Sequence, residues 1–285
     1  MNTSIIKDFI KFLKRPDDTQ LTVGFLEKIK IMWVLLILEI AVLLSLVIPL
    51  DYLVNKIEII KEPKFNYSDT LVVTFFLVVI IAPVLEEPIF RYFLRHKGLQ
   101  KRIFRRETWD KIFPYLVYGL SIIFGLIHLF NYLNDGLLFY LFSPLVVLSQ
   151  LFGGFVLSFI RVRINFIWGM FSHALWNFIF AILLPIFYYQ FATPYAENTD
   201  AYEISITEKP FFVSDESQYL KIDSLNQEIK SIEIKQISLQ NLLDTLYKKD
   251  QFYVEDVLID LDFKSNEHTP KEEFLKILMK EYEIK

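Results

Sequence analysis

The 285-residue chain contains no cysteine. Without a thiol it has no disulfide framework, no thiolate metal site and no cysteine nucleophile. No cleavable leader is expected either: the first fifteen residues are basic and amphipathic and offer no small-residue cleavage site. Arginine is absent beyond residue 191. Charge of either sign is absent from LVVTFFLVVIIAP, Leu71 to Pro83, which runs directly into VLEEPIFR. Two adjacent carboxylates therefore end a stretch built to sit in hydrocarbon, where an ionised group costs at least a few kcal/mol.

What is present is apolar mass. Hydrophobic residues make up 53%, aromatics 16%, and mean hydropathy is +0.35, well above a soluble average. A hydrocarbon core of about 30 Å needs roughly 20 apolar residues per helix. Five spans meet that length: 31–50, 71–90, 113–133, 137–160 and 166–191. The third and fourth are separated by the tight turn NDG, the fourth and fifth by RVRIN.

Residues 91–111 carry Arg91, Arg95, Lys97, Lys101, Arg102, Arg105, Arg106 and Lys111 against Glu107 and Asp110. The positive-inside rule puts this loop in the cytoplasm. The basic N-terminus and Arg161 and Arg163 fall on the same side by alternation. The fifth span then exits outside, and residues 192–285 are extracytoplasmic.

That tail holds 11 Lys and 20 Asp plus Glu, a balance of −9 against −4 for the whole chain. The break in charge and hydropathy marks a domain boundary. IEIKQI (232–237) alternates with period two, Ser238 can cap LQNLLDTLY as a helix, and YVEDVLIDLDF (253–263) alternates again. Pro270 with Glu272 and Glu273 opens a second helix. The organisation is a cytoplasmic amphipathic segment (1–30), a membrane domain (31–191) and an acidic α/β domain (192–285). The fold class is an all-α polytopic membrane bundle with a small soluble α/β C-terminal domain. Nothing in the tail reads as catalytic; His268 is a solvated loop residue.

Within the spans the ionisable groups are Glu39, Glu86, Glu87, His128 and His173, with Arg91 at the boundary. Each must face protein or water. Glu87 and Arg91, four apart, share a helix face and can pair; Glu86 points about 100° away and keeps its carboxylate free. FGLIH sets Phe124 and His128 on one face of the third span, and HALWN does the same for His173 and Asn177. Three helices can aim polar pairs at one cavity. If the second helix continues to a C-cap at Gly98, Glu86 lies ~18 Å from its cytoplasmic end. Glu39 has no motif around it and reads as a packed or partnered side chain; Trp168 and Trp176 read as packing.

EEPIFR, FGLIH and HALWN, in this order, resemble the EExxxR, FxxxH and HxxxN motifs of the CAAX protease and bacteriocin-processing family (CPBP, or Abi) of intramembrane endopeptidases, over roughly residues 71–180. The resemblance implies a helical bundle with a membrane-embedded site and a glutamate-activated water, without a cofactor. By position Glu86 would be the general base and His128 would hold the water. His173 and Asn177 would donate to the oxyanion, and Glu87 and Arg91 would support them. The alternatives are a metal-dependent protease with Glu86, Glu87, His128 and His173 as zinc ligands, and a non-catalytic immunity or scaffold protein of the same fold. The implied partners are membrane lipid, a peptide or protein substrate and a partner for the C-terminal domain; nothing calls for nucleic acid. The implied location is the cell membrane, with multiple passes.

Overall fold

The computed structural model describes residues 2–56, 69–132, 134, 136–225, 228–249 and 251–285. The chain forms two compact units, residues 1–64 with 77–178, and residues 65–76 with 179–285.

The first unit is helical, and two of its helices, Leu71–Arg91 and Phe166–Phe191, run on into residues of the second. α1 (Asn2–Lys14) is followed by four helices long and apolar enough to cross a membrane: α2 (Phe25–Leu50), α3 (Leu71–Arg91), α5 (Arg106–Asn131) and α9 (Phe166–Phe191). Between them lie α4 (Leu99–Ile103), α6 (Leu137–Leu141), α7 (Ser143–Val146) and α8 (Leu148–Arg163). Side chains are distributed inside out. Ile37, Leu44, Leu85, Ile89, Ile123 and Ile167 are exposed, whereas Glu87, Arg91, Ser121, Ser158 and His173 are buried. That inversion suits a lipid solvent, in which polar groups must turn inward.

The single span expected over 137–160 is not one helix. Pro144 has no N–H to continue the preceding helix and sits instead in the first turn of α7, and the chain breaks at Phe142 (φ −92°, ψ 4°) and Val147 (φ −106°, ψ 25°). Of the NDG turn, Asp135 lies outside the described residues and Gly136 caps α6. The remaining helix, α8, has 16 residues, about 24 Å, and Val156 to Arg163 are all buried in it. It is an enclosed helix packed on its neighbours.

Small residues let α5 and α8 approach. A Cβ on Gly154 would lie 3.0 Å from the Ser121 carbonyl oxygen, and one on Gly125 would strike Leu151. Ser121 and Ser158 hydroxyls meet at 3.3 Å in the same seam. Close backbone approach at small residues is how helices pack where lipid removes the hydrophobic drive.

At one end, two arginines cap each other's helices. Arg161 donates to the carbonyls of Arg91 and Tyr92, each at 2.9 Å, and Arg95 donates to those of Arg161 (3.1 Å) and Val162. These carbonyls lie at the ends of α3 and α8, where the helix leaves its last carbonyls without intrahelical donors. Arg163, 3% exposed, pairs with Asp8 (2.9 Å) and Asp17 (3.0 Å). The RVR run is thus buried and bonded rather than simply a marker of sidedness. α3 ends at Arg91 rather than continuing to Gly98, because the Tyr92 amide closes onto the Glu87 carbonyl (3.2 Å). Gly98, with φ +55°, instead begins α4. Glu86 is therefore only ~8 Å from its helix end. α1 contributes Phe9 and Phe12 to the core around Trp109, Phe113 and Phe159.

The second unit is a five-stranded antiparallel sheet in the order β1-β2-β5-β4-β3. Its strands are β1 (Tyr195–Asn198), β2 (Tyr202–Lys209), β3 (Tyr219–Leu225), β4 (Glu228–Ser238) and β5 (Leu258–Pro270). Helices α10 (Leu239–Leu246) and α11 (Lys271–Leu278) bury Leu242, Leu243, Phe274 and Leu278 on the core formed by Ile204, Ile232, Leu261 and Phe263. The Ser238 hydroxyl caps α10 by accepting from the Asn241 amide at 3.1 Å. The strand-helix-strand-helix order of the sequence reading is present, but three further strands precede it and β4 lies antiparallel beside β5. The unit is therefore α+β. β5 also starts at Leu258, not Tyr253. His268 is exposed, but it lies within β5 rather than in a loop.

Candidate active site

α3 is irregular ahead of the two glutamates. From Phe75 to Ile81 the backbone widens to a π turn, in which a carbonyl is answered five residues on rather than four. For Val78 that residue is Pro83, which has no N–H. The Asn177 side chain supplies the missing donor, with Nδ2 2.8 Å from the Val78 oxygen. The asparagine of the third motif is thereby tied to the helix of the first, and one amide hydrogen stays available.

One turn later Glu87 and Arg91 form a buried pair at 2.7 Å, their side chains 0% and 1% exposed. The same Glu87 oxygen lies 3.0 Å from His173 Nδ1. Gly169, one turn before His173 on α9, faces the other Glu87 oxygen; a Cβ there would lie 3.6 Å away. The Arg91 guanidinium sits 3.8 Å above the Phe124 ring. That ring in turn meets the rings of His128 at 4.8 Å and His173 at 5.7 Å. Phe124 is the common wall of the site, which explains an aromatic one turn before the histidine in FGLIH.

Hydrogen-bond partners fix where the protons sit. Arg91 can only donate, so Glu87 receives as a carboxylate and His173 Nδ1 carries a hydrogen. His173 Nε2 then faces Glu86 Oε2 at 3.9 Å, wider than a hydrogen bond. His128 Nδ1 donates to the Phe124 carbonyl at 2.7 Å, again leaving Nε2 for a ligand. Glu86 Oε2 is buried with no hydrogen-bond partner. The structure brings Glu86, Glu87, Arg91 and His173 into direct contact distance, and joins His128 to them through Phe124.

A cavity of about 130 Å³ opens beside them, lined by His128, His173, Asn177, Ser149, Gln150, Ser172, Trp176 and Glu39. Glu86 is not among its lining residues. Glu39, expected from the sequence to be a packed or partnered side chain, also lines this cavity. It is buried, and Gly153 makes room for it, since a Cβ there would lie 3.4 Å from its Oε1. Its one signal in the sequence was an acid inside an apolar span.

Among the described residues no group of three or more His, Cys, Asp or Glu side chains is placed to hold a metal. Glu87 Oε1 is already shared between Arg91 and His173.

Intramembrane carboxylates and histidines gathered on inward helix faces mark a candidate functional site. Residues 68–179 match the family described as type II CAAX prenyl endopeptidase Rce1-like, in agreement with the resemblance that the three motifs carry. The family is one of proteases, and with four candidate spans it puts the chain in a membrane. No curated protein and no solved structure matches significantly.

Proposed function

We propose that the chain hydrolyses a peptide bond in a membrane-associated peptide or protein. The observation that carries this reading is the asymmetry of the glutamate pair. Glu87 is consumed by Arg91 and His173, while Glu86 Oε2 has no hydrogen-bond partner and lies 3.9 Å from His173 Nε2. In the reaction Glu86 takes a proton from a water held between it and the histidines. The water oxygen bonds to the scissile carbonyl carbon, and the negative charge moves to the carbonyl oxygen. The second amide hydrogen of Asn177 stabilises that charge, while the bare Nε2 of His173 accepts from the attacking water and orients it. The C–N bond then breaks as Glu86 returns its proton to the leaving amine. Glu87 and Arg91 hold His173 in register, and no step requires a metal.

The test compares the membrane proteomes of cells carrying the wild type and Glu86→Gln. New termini within membrane-anchored proteins should appear only with the wild type, and the purified enzyme should cut peptides spanning them. Identical terminus profiles would overturn the reading.

A further inference from the structure

A second cavity, of about 360 Å³, lies where the capped ends of α3 and α8 meet the basic loop. Arg95, Lys97 and Arg161 line it, and no acidic residue does among those described. The nearby Asp18 is already occupied by Arg106 (2.6 Å), Trp109 (3.1 Å) and the His96 amide (3.0 Å). Arg95 is 7% exposed, and its Nε is buried without an acceptor. A buried donor left unmet costs free energy, and two guanidiniums side by side repel. Burial, and then the charge of Arg95, bring Arg161 down to about 10. Around the charged floor Tyr92, Phe93 and Leu99 present about half their surface.

We infer that this cavity binds the phosphate headgroup of an anionic phospholipid, with the exposed aromatic and leucine side chains against its acyl chains. The volume falls in the range of small-molecule sites. A basic pocket between helices at the membrane boundary is where an anionic headgroup would meet donors and apolar surface together. A lipid phosphate would offset the uncompensated positive charge of Arg95, Arg161 and Lys97 and relieve the repulsion between the two guanidiniums.

The test uses the full chain in detergent micelles with equal mole fractions of dioleoylphosphatidylglycerol or dioleoylphosphatidylcholine, reading retained lipid by native mass spectrometry and the unfolding temperature. The anionic lipid should be retained and should raise the unfolding temperature; the zwitterionic lipid should do neither. Arg95 and Arg161 also cap helices, so the diagnostic variant is Lys97→Gln. It should weaken retention about fivefold, the worth of one basic residue near a charged surface. Lys101→Gln, in the same loop but outside the cavity, should leave retention unchanged. Equal retention of the two lipids, or equal losses in the two variants, would overturn the assignment. Displacement of the lipid by millimolar inorganic phosphate would overturn the lipid as ligand in favour of a free phosphate.

Discussion

At the scale of single residues, two adjacent carboxylates are separated by the company they keep. Glu87 has Arg91 at 2.7 Å and His173 at 3.0 Å on one oxygen. Glu86 has neither bond. Glu86→Gln should keep the fold and cut turnover by about 10²–10⁴, read in reconstituted membranes. Glu87→Gln should act mainly on the fold: Arg91, 1% exposed, loses its counter-charge at a cost of about 3 kcal/mol, read as a lower unfolding temperature in detergent. Asn177→Ala should do both, since Val78 loses its donor and the oxyanion loses one as well; we expect about 10² in rate. Because Glu87 Oε1 is already committed, the purified enzyme should survive prolonged chelation. Activity lost on chelation and restored by zinc would replace the glutamate base with a metal centre. The Glu87–Arg91 pair was legible in the sequence because it depends on helical spacing alone. The bond from Asn177 to Val78 was not, because it depends on a local widening that no spacing rule encodes, and Glu39 was not because its place opposite Gly153 is a tertiary fact.

At the scale of elements, the helix seam and the sheet make separate demands. Gly154→Ala would set a methyl 3.0 Å from the Ser121 carbonyl and 3.3 Å from the Phe124 ring, pushing on the wall shared by both histidines. We expect a loss of about 1–3 kcal/mol together with reduced activity. Gly119→Ala, with nothing within 4 Å, should be neutral or slightly stabilising. The long apolar run at 137–160 hid the break before Pro144, because hydropathy counts residues and does not see the backbone. In the sheet unit, β4 and β5 were legible from alternation. β1 is only four residues long and β3 shows little alternation in burial, whereas β2 alternates as clearly as β4 and was simply not picked out. A fragment spanning 193–285 should fold with mixed helix and strand content; a disordered circular dichroism spectrum would count against an autonomous unit. Its acid stability has a specific origin. Burial pushes Asp260 up, but Lys235, the Gln236 amide and Lys209 outweigh it and hold the carboxylate below its usual value of 3.8. The unfolded chain then binds the extra proton first. The contribution is present above the usual value and is lost as pH falls through the depressed one. Asp260→Asn should flatten that acid limb of the unfolding profile.

At the scale of the whole molecule, the remaining question is which side of the membrane each part occupies. The sequence assigned sides by charge, and the structure changes the meaning of some of those charges. Arg161 and Arg163 are buried caps and ion-pair partners, so their position follows from packing as well as from the membrane potential. Their bonds nonetheless bring the end of α8 to the end of α3 and to Asp17, the same end that charge alone assigns to the cytoplasm. The short α8 therefore returns the chain to that end despite not being a full-length span, and α9 starts from there at Phe166. The basic residues of 91–111 keep the stronger claim on orientation, because Lys97, Lys101, Arg102 and Arg105 are exposed and cannot be explained by packing. With that loop inside, α9 leads outward, and a reporter fused after Lys285 should register an extracytoplasmic location. Neutralising those four exposed residues together should weaken or invert that location, whereas Arg163→Gln should lower stability without changing sides. If the fusion reports from the cytoplasm, α9 does not cross, and the acidic sheet unit shares a compartment with the basic loop.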